Sequence, residues 1–267
     1  MRNHSFMQSL EPRRLLAADL DDGVLVVTGT SGGDDLEFSE TIDDIVVNLN
    51  GEEERFHTTD VRLILVDVGS GADSVILGNR NVPAHVRGGR GNDSLSGGLA
   101  KDTLLGEGAD DYLFGNAGND LLDGGGEADL ILGGAGKRDL VDYSTRTGDL
   151  DIDLSGDDED DGEAGENDSV LTDVEIVFGG VGDDDIRTQS SRACSLFGGN
   201  GDDTLTGGSG DNVLVGGNHE DRLLGNGGND TFFTEDGDAD TLSGGTGTDA
   251  ADRDNAIDVA TGIEQNL

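Results

Sequence analysis

Between residues 88 and 132 the apolar positions recur at a period that fits neither a helix nor an alternating strand. Leu95, Leu104, Leu113, Leu122 and Ile131 stand nine residues apart, each two places after an aspartate: Asp93, Asp102, Asp111, Asp120 and Asp129. The blocks read GGRGNDSLS, GGLAKDTLL, GEGADDYLF, GNAGNDLLD and GGGEADLIL, with the aspartate sixth and the apolar residue eighth. Nine residues advance an α-helix by a half-integral number of turns, so successive leucines would fall on opposite faces. The fourteen glycines between residues 88 and 134 would cost a helix on the order of 14 kcal/mol relative to alanine. A short strand followed by a glycine turn fits instead, with the eighth residue pointing inward. Two blocks facing each other make one coil, and coils stack as parallel strands about 4.8 Å apart. The predicted fold is all-β: a parallel β-roll, or solenoid, with two nine-residue repeats per coil.

The pattern divides the chain. The first array spans 88–141 and ends on a block, GGAGKRDLV, in which Arg138 takes the aspartate place and Asp139 follows it. A second array spans 179–252. It carries Asp184, then a degenerate ten-residue block, TQSSRACSLF, then Asp203, Asn212, Asp221 and Asp230. Their apolar partners are Leu205, Leu214, Leu223 and Phe232. A further ten-residue block supplies Asp240, and the last supplies Asp249 with a weak apolar place at Ala251. Earlier traces, GTSGGDDLE with Asp34 and VGSGADSVI with Asp73, make residues 20–87 an irregular β opening of the same architecture. Residues 1–19 read as an export-type leader, 142–178 as an acidic insert and 253–267 as a C-terminal cap.

Charge sharpens this picture. With 58 acidic residues against 16 Lys+Arg the formal net charge is -42, and only 33% of the chain is hydrophobic. Such a chain is a poor partner for nucleic acid, where affinity comes from neutralising phosphates, and for anionic membrane surfaces. No apolar run approaches the ~18 residues of a membrane span. Low hydrophobicity with high charge favours either disorder or an acidic fold that needs cations, and the regular apolar placement favours the fold. Cys194 is the only cysteine, so no internal disulfide holds the chain.

In the coil geometry the sixth-place aspartates form two columns, Asp93, Asp111 and Asp129 on one edge and Asp102 and Asp120 on the other. Carboxylates about 5 Å apart repel by roughly 1 kcal/mol in water and ~3 at an effective dielectric near 20. Lysines are too few to offset this. Calcium fits, because it takes six to eight oxygen ligands from carboxylates and backbone carbonyls, and glycine turns leave carbonyls unscreened.

The blocks also match G-G-x-G-x-D-x-U-x, so over roughly 88–141 and 179–252 the sequence resembles the RTX, or hemolysin-type calcium-binding repeat, family. The resemblance implies a secreted β-roll that folds in millimolar calcium. It also implies several ions, held by sixth-place carboxylates and by carbonyls of the preceding turn. Ligand status carries to Asp93, Asp102, Asp111, Asp120, Asp129, Asp184, Asp203, Asp221, Asp230, Asp240 and Asp249, and to Asn212 as an uncharged oxygen donor. Asp34 and Asp73 are weaker matches. None carries to Arg138 or to TQSSRACSLF.

In the insert, Asp157, Glu159, Asp161 and Asp168, with Gly162 at the turn, partly fit an EF-hand loop. A lone calcium site and a solvated acidic loop both remain open there. The N-terminus resembles the planctomycete extracellular motif through Leu10, Glu11, Pro12, Arg13, Leu15, Leu16 and Ala17, which implies an extracellular or cell-surface protein. The C-terminal AIDVATGIEQNL is placed where RTX proteins carry a type I export signal.

Gly29–Gly33 satisfies G-x-S-x-G, but no apolar helix follows, so the nucleophile-elbow context is missing. His4, His57, His85 and His219 form no HExxH. The expected protein is a non-catalytic, calcium-binding structural module. The alternatives are a calcium-dependent adhesin for a glycan or surface protein, and a hydrolase with a site in residues 20–87.

Overall fold

The computed structural model describes residues 17–154, 161–234, 236–254 and 257–267. The leader residues Leu10, Glu11, Pro12, Arg13, Leu15 and Leu16 lie outside the described residues, as do His4, Asp157 and Glu159.

Equivalent residues of blocks two apart pair in parallel, as the nine-residue period requires. Thr103–Gly108 lies between Ala84–Arg90 and Leu121–Gly126, with Leu104 opposite Val86 and Leu122. On the facing layer Tyr112–Phe114 lies between Ser94–Ser96 and Leu130–Leu132, with Leu113 opposite Leu95 and Ile131. One coil is therefore two blocks, and the fold is a parallel β-roll. The eighth-place residues form the core between the layers: Leu95, Leu104, Leu113, Leu122 and Ile131 are all fully buried. Burying each stabilises the roll by about 1.5–3 kcal/mol. The core is one side chain thick on each layer, which is why so apolar-poor a chain can fill it.

One layer is a single sheet of thirteen strands, from Ala17–Asp21 to Gln265–Asn266. The facing layer is two sheets, of eight and seven strands. The division falls at the acidic insert. Leu140–Asp142 pairs directly with Ile176–Phe178, so the long sheet passes the insert without a gap. Meanwhile the insert supplies Ser169–Val170 to the end of the eight-stranded sheet and Leu150–Asp153 to the seven-stranded one. An antiparallel bridge between Asp161 and Asp168 joins the two. The described residues of 142–178 are thus built into the roll. At the other end, Val259–Thr261 and Gln265–Asn266 each add one strand to a layer.

Residues 20–87 keep both layers but add antiparallel hairpins. Asp22-Gly23 and Asn50-Gly51 turn two of them with positive φ at both residues, as two-residue hairpins of that hand require. The last hairpin strand, Glu52–His57, contributes no buried residue, and its run of glutamates discourages pairing at the open edge.

The turns demand left-handed backbone at fixed places, usually supplied by glycine. His219 occupies such a place in the block GGNHEDRLL, with φ +85 and an exposed side chain. A Cβ there costs roughly 1–2 kcal/mol. His219→Gly is therefore expected to stabilise the protein by about 1 kcal/mol, measured by urea unfolding in saturating calcium. An unchanged or lowered midpoint would show that the turn carries no strain.

Candidate metal centre

The sixth-place acids sit where each turn enters the next strand, and all the predicted ones among the repeats are buried. Each performs the same bond: its Oδ1 accepts the backbone N–H of the sixth-place residue one coil earlier. Along the edge entering the facing layer, Asp34 N–H donates to Asp73, Asp73 to Asp93, Asp93 to Asp111, Asp111 to Asp129 and Asp129 to Asp168, at 2.6–2.9 Å. Beyond the insert the same edge continues from Leu150 to Asp184, Asp203, Asp221 and Asp240. The opposite edge carries Asp102, Asp120 and Asp139, and later Asn212, Asp230 and Asp249. The columns expected from the period exist, but they are hydrogen-bonded ladders.

Asp139, Asp168 and Glu175 are rungs that were hidden in the sequence. Asp139, not Arg138, is the rung of its block: it is fully buried and accepts from Asp120 N–H at 2.9 Å. The extra residue is absorbed in the turn, so Val141 rather than Leu140 faces the core opposite Leu122. Asp168 is a rung because Ser169 and Val170 pair with Leu130 and Ile131. Glu175 is a rung whose Oε2 accepts from Asp139 N–H at 3.1 Å. Asp-x-Val and Glu-x-Val spacing was the available clue, and glycines out of register before Asp139 and Asp168, or absent before Glu175, concealed it.

The described acids of the insert are used within the protein. Asp161 accepts from Asp153 N–H and Val170 N–H. Asp168 accepts from Asp129 N–H and, at 2.8 Å, from the buried Tyr143 hydroxyl. The G-x-S-x-G stretch is likewise a repeat turn, in which Asp34 Oδ2 accepts from Thr30 N–H at 2.6 Å.

The second carboxylate oxygen carries the chemistry. The Oδ2 atoms of Asp73, Asp93, Asp111, Asp120, Asp129, Asp139, Asp203, Asp221, Asp230, Asp240 and Asp249 are buried without a hydrogen-bond partner. Such a buried, unpaired anion is costly. All of these but Asp73 and Asp240 face the first glycine of their own block. A methyl group built on Gly106 would collide with Asp111 Oδ2 and with Gly124 O of the next coil. Glycine here keeps open a cradle between a carboxylate oxygen and a backbone carbonyl. Among the described residues no three acidic, histidine or cysteine side chains cluster to hold an ion by themselves. The donor set is one carboxylate per coil with turn carbonyls, all hard oxygens, which fits calcium. Asp102 and Asp184 depart from this, since their Oδ2 atoms accept from Gly98 and Gly180 N–H.

Burial, only partly offset by the ladder bond and reinforced by neighbouring carboxylates, pushes Asp111 from 3.8 up to about 7. The same causes bring Asp129 and Asp203 to about 8, and Asp93 and Asp230 to about 6.

Residues 85–113, 105–138 and 197–232 match the family described as RTX calcium-binding nonapeptide repeat (4 copies). With the parallel roll described above, the chain fits an RTX-type β-roll protein. No curated protein matches it.

Two outcomes follow for the site. Raised folded-state pKa values mean that the ion-free roll binds protons the unfolded chain does not. It therefore gains stability as pH falls through about 8 to 6, and the gain is complete near the ordinary carboxylate value. Protons and calcium then compete, so the calcium midpoint should rise from pH 8 to pH 6 while chelated protein gains β structure. Circular dichroism titrations at several pH values check this, and a pH-independent midpoint would defeat it. Separately, Asp111→Asn keeps an acceptor for Asp93 N–H and should raise the calcium midpoint while preserving the ladder. Asp111→Ala should add about 1–3 kcal/mol of destabilisation for the orphaned N–H. Identical behaviour of the two variants would deny the carboxylate its double role.

Proposed function

We propose that the protein is a secreted structural module whose folding is completed by calcium and which carries no catalytic chemistry. The observation that supports it is the series of eleven buried, unpartnered carboxylate oxygens, set beside turn carbonyls in a chain of net charge -42. Without cations each coil added to the stack desolvates further negative charge. A ligand that binds only the folded state stabilises it by mass action, and millimolar calcium outside the cell supplies one. The leader resemblance supports export, and no helix among the described residues is long and apolar enough to cross a membrane.

An adhesive role has one supporting observation. The outer face of the long sheet carries Phe178, Phe197, Val215 and Phe233 in one register row, with the first two rings edge to face at 4.7 Å. Aromatic side chains combine a broad apolar contact with specific geometry, which suits a glycan or protein surface. Calcium-dependent retention on a glycan array, lost in Phe233→Ser, tests that role.

The folding reading is tested by far-UV circular dichroism of chelator-treated protein. Little β signal is expected without calcium and a strong one in millimolar calcium. Magnesium should substitute poorly, because it demands tighter octahedral geometry and dehydrates reluctantly. A spectrum indifferent to calcium would overturn the reading.

A further inference from the structure

Three rungs of the ladders have no side-chain oxygen, and only the fold reveals them. Ala84 N–H donates to Asp102 Oδ1, Leu150 N–H to Asp184 Oδ1 and Cys194 N–H to Asn212 Oδ1, so each stands at a sixth place. Each of these blocks carries an arginine in the turn just before the rung: Arg80, Arg146 and Arg192. Each arginine is paired to an acid of a neighbouring segment. Arg80 Nη1 lies 3.1 Å from Glu40 Oε1, Arg146 Nε lies 3.1 Å from Glu166 Oε1, and Arg192 Nη1 lies 3.0 Å from Glu175 Oε1. Glu175 is itself the rung one coil before Cys194. Arg146 also stands 3.6 Å from Asp123 and donates through Nη2 to Gly125 O, a carbonyl of the glycine turns. Arg80 is fully buried.

Basic residues in the turns of acid-bearing blocks behave differently. Arg90, Lys101 and Arg138 form no salt bridge among the described residues. The coincidence is thus between a lost acid and a turn arginine engaged with the adjacent segment.

We infer that Arg80, Arg146 and Arg192 are built-in cations that replace calcium at these three rungs, so that these coil contacts bind no ion and hold without one. The inference rests on the calcium reading above. A guanidinium presents five donors in a fixed fork to carboxylates and carbonyls. It brings its charge on the chain, so no free ion must be captured and dehydrated. Calcium needs six to eight oxygens, and a rung without a carboxylate has lost the charged one. The placement is also purposeful. Arg80 marks the passage from the hairpin opening to the regular arrays. Arg146 and Arg192 flank the point where the facing layer changes sheets, where the ion column is broken in any case.

The test converts one such rung back. In the full chain, Arg192→Gly with Cys194→Asp restores the turn glycine and the acid. Calcium per chain, measured by equilibrium dialysis with metal analysis, should rise by about one over the parent. Cys194→Asp alone, which keeps Arg192, should bind the same number as the parent. A second measurement guards against misfolding: hydrogen exchange in chelator should show protection of residues 174–196 in the parent and its loss in Arg192→Gly. No added ion in a folded double variant, an added ion in Cys194→Asp alone, or unchanged exchange in Arg192→Gly would each overturn the inference. A parent that binds no calcium would instead overturn the functional reading on which it stands.

Discussion

A buried carboxylate with only one of its two oxygens paired is the constraint on which the rest of this structure depends. Oδ1 of each rung closes the backbone N–H of the coil before it, for example Asp93 N–H on Asp111 at 2.7 Å. That bond fixes the stacking register and settles a main-chain donor that would otherwise be orphaned in the turn. Oδ2 has no such donor. Glycine at the first place of the block follows from it, because any side chain there would fill the space that the oxygen and the next carbonyl share. The thin core follows as well. With the turns held by ladders, one inward leucine per strand suffices to join the layers.

The same constraint makes the molecule quasi-one-dimensional, since each coil meets only its neighbours. An insertion is tolerated if it returns the chain to register on both layers. The acidic insert does so by dividing its work: it passes the long sheet from Leu140–Asp142 to Ile176–Phe178 and supplies separate strands to the two facing sheets. Tyr143, fully buried, donates to the rung Asp168 from within this junction. A polar seam, with Arg146 bound to Glu166 and Gly125 O, stands where the facing layer is discontinuous.

The roll was legible in the sequence because two residues of each block announce it independently. Asp111 and Leu113 are two places apart, and so are Asp221 and Leu223, and both pairs stand where the nine-residue period puts them. What the sequence hid was backbone work. A ladder bond donated by a main-chain N–H leaves no mark on residue type, so Ala84, Leu150 and Cys194 could not be recognised as rungs. Asp139 was misplaced by one residue because a turn can absorb an extra residue while a strand cannot, and Val141 shows which of the two gave way. Asp161 and Asp168 resembled ligands of a single loop site because acid spacing alone does not show what each carboxylate accepts. In the fold each oxygen of both carboxylates accepts a protein donor.

Stacking and charge together dictate how such a roll responds to its medium under the proposed reading. Adding a coil gains about two buried apolar side chains and two ladder bonds, and buries up to two more half-paired carboxylates. Hydrophobic burial is indifferent to calcium, whereas the electrostatic cost is not, so the balance per coil changes sign with ion concentration. Because a bound ion lies between coils, its capture orders both, and neighbouring captures reinforce one another. A stack governed this way folds steeply over a narrow calcium range rather than gradually. The arginine rungs interrupt the ion columns at fixed points, so the steep response belongs to the stretches between them. The chain would thus keep short paired segments in a calcium-poor compartment and complete its layers only in a calcium-rich one. That order of events suits a protein exported unfolded, for it ties the final fold to the place where the fold is needed.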